Sequence, residues 1–222
     1  MSSDSMYSQN PASNADGFQL DFNRIIRIVS SLAKDPKNAW GELQTEYGTT
    51  KSLYLNFILP LLTFAALCSF IKLSVIGISI PYIGVQRMAM TAGITNLVVQ
   101  VLSQAAIFYV AAMVLTKLAP TFGGNTNELQ VLRLLAFSGS IGWVASAAII
   151  IPMIGWLIAF VAGIYGIYVF YQGVTAMTGV PETDRLKFTV IGALCVFVVA
   201  FVLMAVVHFI VPSPTPYSMP TA

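Results

Sequence analysis

The sequence predicts an all-α fold, a polytopic membrane protein. It reads as a bundle of five transmembrane helices with an N-terminal cytoplasmic amphipathic helical segment. Three observations predict it. The 222 residues are 57% hydrophobic and only 9% charged. Soluble domains carry about 25% charged residues, so a fully water-facing surface cannot be built from this chain. Five apolar runs each supply the roughly 20 residues that a hydrocarbon core near 30 Å requires. Lysine and arginine also divide unevenly between the two ends of such a bundle. Helices are preferred to strands because lipid cannot satisfy an open sheet edge.

Residues 1–20 are polar and hold no basic residue, and read as a disordered tail. The charged start and apolar core of a cleaved signal peptide are not present. Neither a Met-Gly start nor a Cys-a-a-X end indicates a lipid anchor. Residues 21–48 read as cytoplasmic interfacial helices. Phe22, Ile25, Ile26, Val29, Leu32 and Ala33 fall at helical spacing, with Asn23, Arg24, Arg27, Ser31 and Lys34 opposite and Asp21 as cap. The segment is too short and too charged to cross. It suits a membrane-surface helix, with Phe22, Ile25 and Val29 toward the acyl boundary and Arg24, Arg27 and Lys34 toward the headgroups. The alternative is a helix packed on protein with a solvated basic face. Asp35-Pro36 then opens a second helix, a cap followed by proline at the first position. Ala39, Trp40, Leu43 and Tyr47 share its face, and Trp40 and Tyr47 suit an interface belt.

The transmembrane domain covers residues 49–211, with spans at about 53–76, 88–118, 129–151, 153–177 and 188–211. Pro120, Gly123, Gly124 and Asn125 turn the chain between spans two and three. Pro152 makes a tight hairpin between spans three and four. Gly179 and Pro181 break the chain before span five. The proline-rich end, 212–222, reads as an extended tail. Span four is expected at the centre of the bundle. Gly155, Ala159 and Gly163 recur every fourth residue and would let a second helix approach closely, within the chain or in an oligomer.

With five crossings, one side holds Arg24, Arg27, Lys34, Lys37, Lys51, Lys117, Arg133, Arg185 and Lys187, and the other only Lys72 and Arg87. The positive-inside rule then puts the N-terminus in the cytoplasm and the C-terminus across the membrane. Arg133 and Lys72 lie near span ends and can snorkel to water.

Little chemistry is written in the chain. No ionisable residue falls mid-span, where ion-coupled pumps place theirs. The one histidine, His208, sits roughly 30 Å along its helix from the cytoplasmic end and Ser138 roughly 13 Å, too far apart for a Ser–His pair. No phosphate-cradling glycine motif and no metal-ligand set is present, so neither cofactor nor metal is expected. Cys68 and Cys195 lie in apolar runs and read as small core residues. The net charge of +2 does not point to nucleic acid. Asn96, Gln100, Ser103 and Gln104 lie along one face of span two. They read either as interhelical hydrogen-bonding groups or as the lining of a polar pathway. Tyr165, Tyr168, Tyr171 and Gln172 near the end of span four read as interface belt.

A set of short motifs carries a family resemblance. In order they are Asp35-Pro36 with Trp40, Leu132-Arg133-Leu134-Leu135-Ala136-Phe137, Ile150-Ile151-Pro152, Ile164-Tyr165-Gly166-Ile167-Tyr168, Gln172-Gly173, Gly179-Val180-Pro181-Glu182 and Lys187-Phe188-Thr189-Val190. Over residues 21–211 the chain resembles the YIP (Ypt-interacting protein) domain family, in its bacterial branch. The resemblance implies a five-span membrane protein with a cytoplasmic N-terminus and no catalytic residues. Eukaryotic members bind prenylated Rab-type GTPases. This chain lacks their Asp-Leu-Tyr-Gly-Pro motif, and that partner is not carried over. The expected function is therefore that of a non-enzymatic inner-membrane protein acting through helix packing and contact with lipid, a second copy or another membrane protein. The alternative is a small channel or carrier for a neutral or lipid-like solute, lined by the polar face of span two.

Overall fold

The computed structural model describes residues 18, 20–80, 82, 84–151 and 154–210. The polar tail, the proline-rich end and the hairpin proline Pro152 lie outside the described residues, apart from Phe18 and Leu20.

Helix α1 (Phe22–Lys34) starts where the Asp21 carboxylate accepts the Arg24 backbone N–H at 3.1 Å. It stops because proline follows Asp35, which disfavours helical geometry at the residue before it. The same Asp35 then caps α2 (Pro36–Leu43) by accepting the Asn38 N–H at 3.3 Å. One residue thus ends the first helix and begins the second.

Among the described residues, five helices long and apolar enough to cross a membrane follow. Helix α3 (Thr50–Ile76) contains Pro60, which has no N–H and crowds the carbonyl four residues back. The chain absorbs it with a π turn over Tyr54–Ile58, in which the Leu59 N–H reaches back five residues to the Tyr54 carbonyl. A second π turn, Ile71–Ile76, ends the helix at Gly77. There φ is +89°, and a Cβ would stand 2.7 Å from the Gln86 carbonyl oxygen, so only glycine fits.

Between α3 and the next helix the sequence reading had no regular element. The structure has a hairpin of β1 (Ile78–Ile80) and β2 (Gly84–Gln86), antiparallel with Ser79 opposite Val85. Strands this short carry too few residues for their alternation to stand out.

Helix α4 (Met90–Leu118) continues into a 3₁₀ turn and a left-handed cap at Gly123. Helix α5 (Glu128–Ala145) is capped by the Asn127 side chain and runs on as a 3₁₀ turn to Ile150. Helix α6 (Gly155–Thr178) ends at Gly179, φ +68°. Helix α7 (Glu182–Ile210) starts at Glu182, ahead of the apolar run that begins at Phe188.

Helix α5, rather than the span-four helix α6, is the most enclosed. Val131 through Ser138 are all buried, on every side of the helix. The core that surrounds them includes Ile28, Leu32, Trp40 and Leu43 from α1 and α2, Phe57 from α3, Leu115 from α4, Val174 from α6 and Phe188 from α7. All lie at the end of the bundle that carries α1 and α2, the collar end. Toward the hairpin end the helices present Trp156, Phe160, Phe197 and Phe201 outward.

Within the chain, the three positions of the small-residue strip have different surroundings. Gly155 is buried against the backbone of Ala148 and Ile149. Ala159 is half-buried. Gly163 is exposed, with no atom within 4 Å of where its Cβ would stand. Helix α5 leans on α6 one turn further along and on a neighbouring face. A Cβ on Gly166 would come 3.2 Å from the Ser138 carbonyl oxygen, and one on Gly173 2.7 Å from Leu134 Cδ1.

Candidate functional site

The collar, α1 and α2, is held on the bundle in part by two side chains whose polar groups close backbone ends that would otherwise be orphaned. The last carbonyls of any helix lack partners inside it and need donors from elsewhere. At the end of α2, the Arg133 guanidinium of α5 donates through Nη1 to the Gln44 carbonyl and through Nη2 to the Tyr47 carbonyl, the latter at 2.9 Å. At the end of α1, the Tyr165 hydroxyl of α6 donates to the Ala33 carbonyl at 3.1 Å. Both collar helices therefore take their C-terminal caps from the membrane bundle.

The tie is returned from the other side. Trp40 on α2 is 1% exposed, and its indole Nε1–H donates to the Val169 carbonyl of α6 at 3.1 Å. Its ring lies on Gly173, where a Cβ would sit 2.7 Å from Trp40 Cδ2. Phe137 stands 6.3 Å from Trp40 by ring centroids and 5.0 Å edge-on from Phe57, with Tyr47 at 5.7 Å from Phe57. These four rings join α2, α3 and α5 in one cluster.

Glu46 locks the collar to its own exit. It accepts hydrogen bonds from both Arg24 and Arg27 of α1. Burial pushes its carboxyl up, but the hydrogen bonds from Arg27 and Arg24 outweigh this, and its pKa falls below the ordinary value. The Arg24 guanidinium also lies 4.1 Å over the Tyr47 ring. Tyr47 is 3% exposed, and burial pushes its phenol up to about 12. Its φ of +52° is a costly conformation for a bulky residue, held in place by these contacts.

Sequence reasoning had Trp40, Tyr47 and Tyr165 at the membrane–water belt and Arg133 snorkelling to water. The structure turns all four toward the collar–bundle junction. A ring with an apolar body and one polar atom suits either a lipid headgroup layer or a buried carbonyl. The tertiary partner decides which. Of the other belt residues, Tyr171 pairs with Arg185 at 3.0 Å and Tyr168 stays exposed. Glu46 was not singled out, because nothing local ties it to Arg24 and Arg27, which lie 22 and 19 positions earlier in the chain.

The membrane-surface residues of α1 divide. Ile25 is buried with Ile28 and Leu32, Val29 is half-buried, and Phe22 is exposed along with Lys34. Arg24 and Arg27 are bound to Glu46 as above.

On α4 the polar face is brought together as a unit. Ser103 is buried and donates to the Val99 carbonyl of its own helix at 2.6 Å. Asn96, Gln100 and Gln104 are half-buried and line a groove of about 940 Å³ against α7. Ser138 and Ser140 donate to carbonyls of their own helix. Among the described residues no three His, Cys, Asp or Glu side chains gather in a way that would hold a metal ion. Cys68 and Cys195 are free thiols.

Fold and site together define a class, an integral membrane protein of five helices whose amino-terminal collar is clasped to one end of the bundle. A family model described as the Yip1 domain matches residues 30–206. The chain belongs to the Yip1 domain family. The matched region takes in Trp40, Arg133, Tyr165 and Gly173, and so most of the clasp. No curated protein and no solved structure matches the chain.

The two glycines on α6 give a paired prediction. Gly173→Ala pushes a methyl into Trp40 and Leu134 and should destabilise collar docking by about 1–3 kcal/mol, as overpacking does. Gly163→Ala meets open space and should change stability by less than about 0.5 kcal/mol. Thermal unfolding in detergent and proteolysis of residues 21–48 measure both.

Proposed function

We propose that this chain is a non-enzymatic protein of the YIP type that organises membrane by holding a lipid-contacting collar rigidly against a helical bundle. Its place is a bacterial inner membrane, with the collar in the cytoplasm and the hairpin end across the membrane. The excess of Lys and Arg beside the collar supports that orientation.

One observation carries the reading. Helix α1 has two apolar flanks. Ile25, Ile28 and Leu32 face the protein and are buried. Phe22 and Ile26, each 63% exposed, face away from it, with Ala33 on the same flank. At 3.6 residues per turn the two flanks stand about 105° apart. Asn23, Arg27, Ser30 and Lys34 fill the next sector. A helix docked on the end of a bundle with one such flank free is built to set its rings into the acyl boundary beside that bundle. Phe18 and Leu20, also exposed, extend the apolar edge.

The test uses the full chain in nanodiscs of mixed zwitterionic and anionic phospholipid, with Cys68 and Cys195 replaced by alanine. A polarity-sensitive fluorophore on a single cysteine at Ile26 should emit as in an apolar medium and be quenched by lipids spin-labelled near the headgroup. The same label at Asn23 should emit as in water. Water-like emission at both positions rules lipid contact out.

A further inference from the structure

We propose that the groove between α4 and α7 is a binding site for an uncharged amphiphile bearing hydroxyl or amide groups, entered sideways from the bilayer. This does not rest on the collar.

The groove holds about 940 Å³, within the range of small-molecule sites. One wall is the amide face of α4, Asn96, Gln100 and Gln104. The other, from α7, is largely apolar, with Phe201, Met204 and Phe209, and also carries His208. Gln100 and Gln104 also line a second cavity of about 150 Å³ between α3, α4 and α5, beside Ser69 and Ser146. The two amides therefore stand between an open groove and an inner polar recess.

Depth makes these amides significant. Gln100 and Gln104 lie about 15 and 21 Å along α4 from Met90, well inside the hydrocarbon zone. The hydroxyls nearby are already used, Ser103 on Val99 and Thr95 on Thr91. The three amides make no side-chain hydrogen bond to any described residue. A polar group left unpaired in an apolar medium is costly, so these call for a partner beyond the described residues.

The chemistry of that partner follows from the lining. Neither cavity is lined by Asp, Glu, Lys or Arg, and His208 is the one ionisable side chain among their described lining residues, so a neutral headgroup suits them better than a charged one. Each amide offers both donor and acceptor, which suits hydroxyl, ester and amide groups. The apolar wall and lateral opening leave room for an acyl chain to remain in the bilayer. A neutral glycerolipid such as diacylglycerol has this combination.

The experiment incubates the full chain, in phosphatidylcholine–phosphatidylglycerol nanodiscs, with trace photoactivatable diacylglycerol, and maps the crosslinks by mass spectrometry. Labelling should concentrate on the segments 95–104 and 201–209. Excess unlabelled diacylglycerol should reduce it about tenfold, and the same excess of phosphatidylglycerol should not, a difference of one decade in occupancy. Gln100→Leu with Gln104→Leu should lower labelling comparably while the melting temperature is kept. Competition on the unaltered protein decides the matter should that variant fail to fold. Labelling spread evenly over the exposed helices, or undiminished by competitor, overturns the proposal and leaves a groove filled by water alone. Equal competition by phosphatidylglycerol overturns the preference for a neutral headgroup.

Discussion

Trp40→Ala will release the collar from the bundle while leaving the five long helices assembled. The indole is fully enclosed, and truncating a buried tryptophan to alanine costs about 3–5 kcal/mol, the lost transfer energy plus the cavity left behind. The ring sits on Gly173, where no side chain exists to move into the void. Its hydrogen bond to the Val169 carbonyl adds about 1 kcal/mol. The collar opens locally, so the loss appears as a larger open population rather than as global unfolding. At 1.4 kcal/mol per decade, proteolysis within residues 21–48 should accelerate by roughly 100-fold or more. Trp40→Phe keeps most of the packing and should give only about a tenfold effect. If both variants leave the cleavage rate unchanged, Trp40 is not what holds the collar.

Arg133→Leu is expected to come second. Arg133 is 6% exposed and is anchored by two carbonyl oxygens rather than a carboxylate. Replacing a buried ion pair by apolar residues is often neutral, because both charges disappear together. Here only the cation disappears. The Gln44 and Tyr47 carbonyls stay where they are, and an acceptor stranded in a buried site costs about 1–3 kcal/mol. Relief from burying the guanidinium offsets part of this, and a net loss of about 2 kcal/mol remains. Arg133→Lys should recover less than half, since an ammonium cannot span two acceptors as a planar fork does. Trp40 holds α2 from within the helix and Arg133 holds the chain just past its carboxyl end. Once either has let go, the other has less left to hold, so the double variant should fall short of the sum of the singles. Additive losses would mean two independent attachments.

Both residues show where the sequence was readable. Each long helix could be found because its apolar run exceeds a bilayer crossing, a property of the run alone. Asp35-Pro36 could be read as a stop and a start because capping is decided within three residues. The face of α2 bearing Ala39, Trp40 and Leu43 was also visible. What that face meets was not, because Val169 and Gly173 lie some 130 positions further along the chain. The same limit applies to Arg133, where one cation near a helix end fits both a snorkelling and an inward-turned side chain. What meets the Gly155 to Gly163 strip could not be read either, for a related reason. Small-residue spacing marks a surface able to accept a close neighbour, and neighbour position is set by how α5 and α6 cross. On α4 the polar face was plain, while the groove opposite it depends on where α7 stands.

The central claim is that the collar is clasped to the bundle through a buried Trp40. With Trp143→Phe and Trp156→Phe, Trp40 becomes the only tryptophan, and its emission can be read in nanodiscs against acrylamide in the water and brominated lipids in the bilayer. A clasped collar predicts blue-shifted emission that neither quencher reaches. Strong quenching by acrylamide would show a collar free in water, and strong quenching by lipids brominated near the headgroup would return Trp40 to the membrane surface; either result contradicts the clasp.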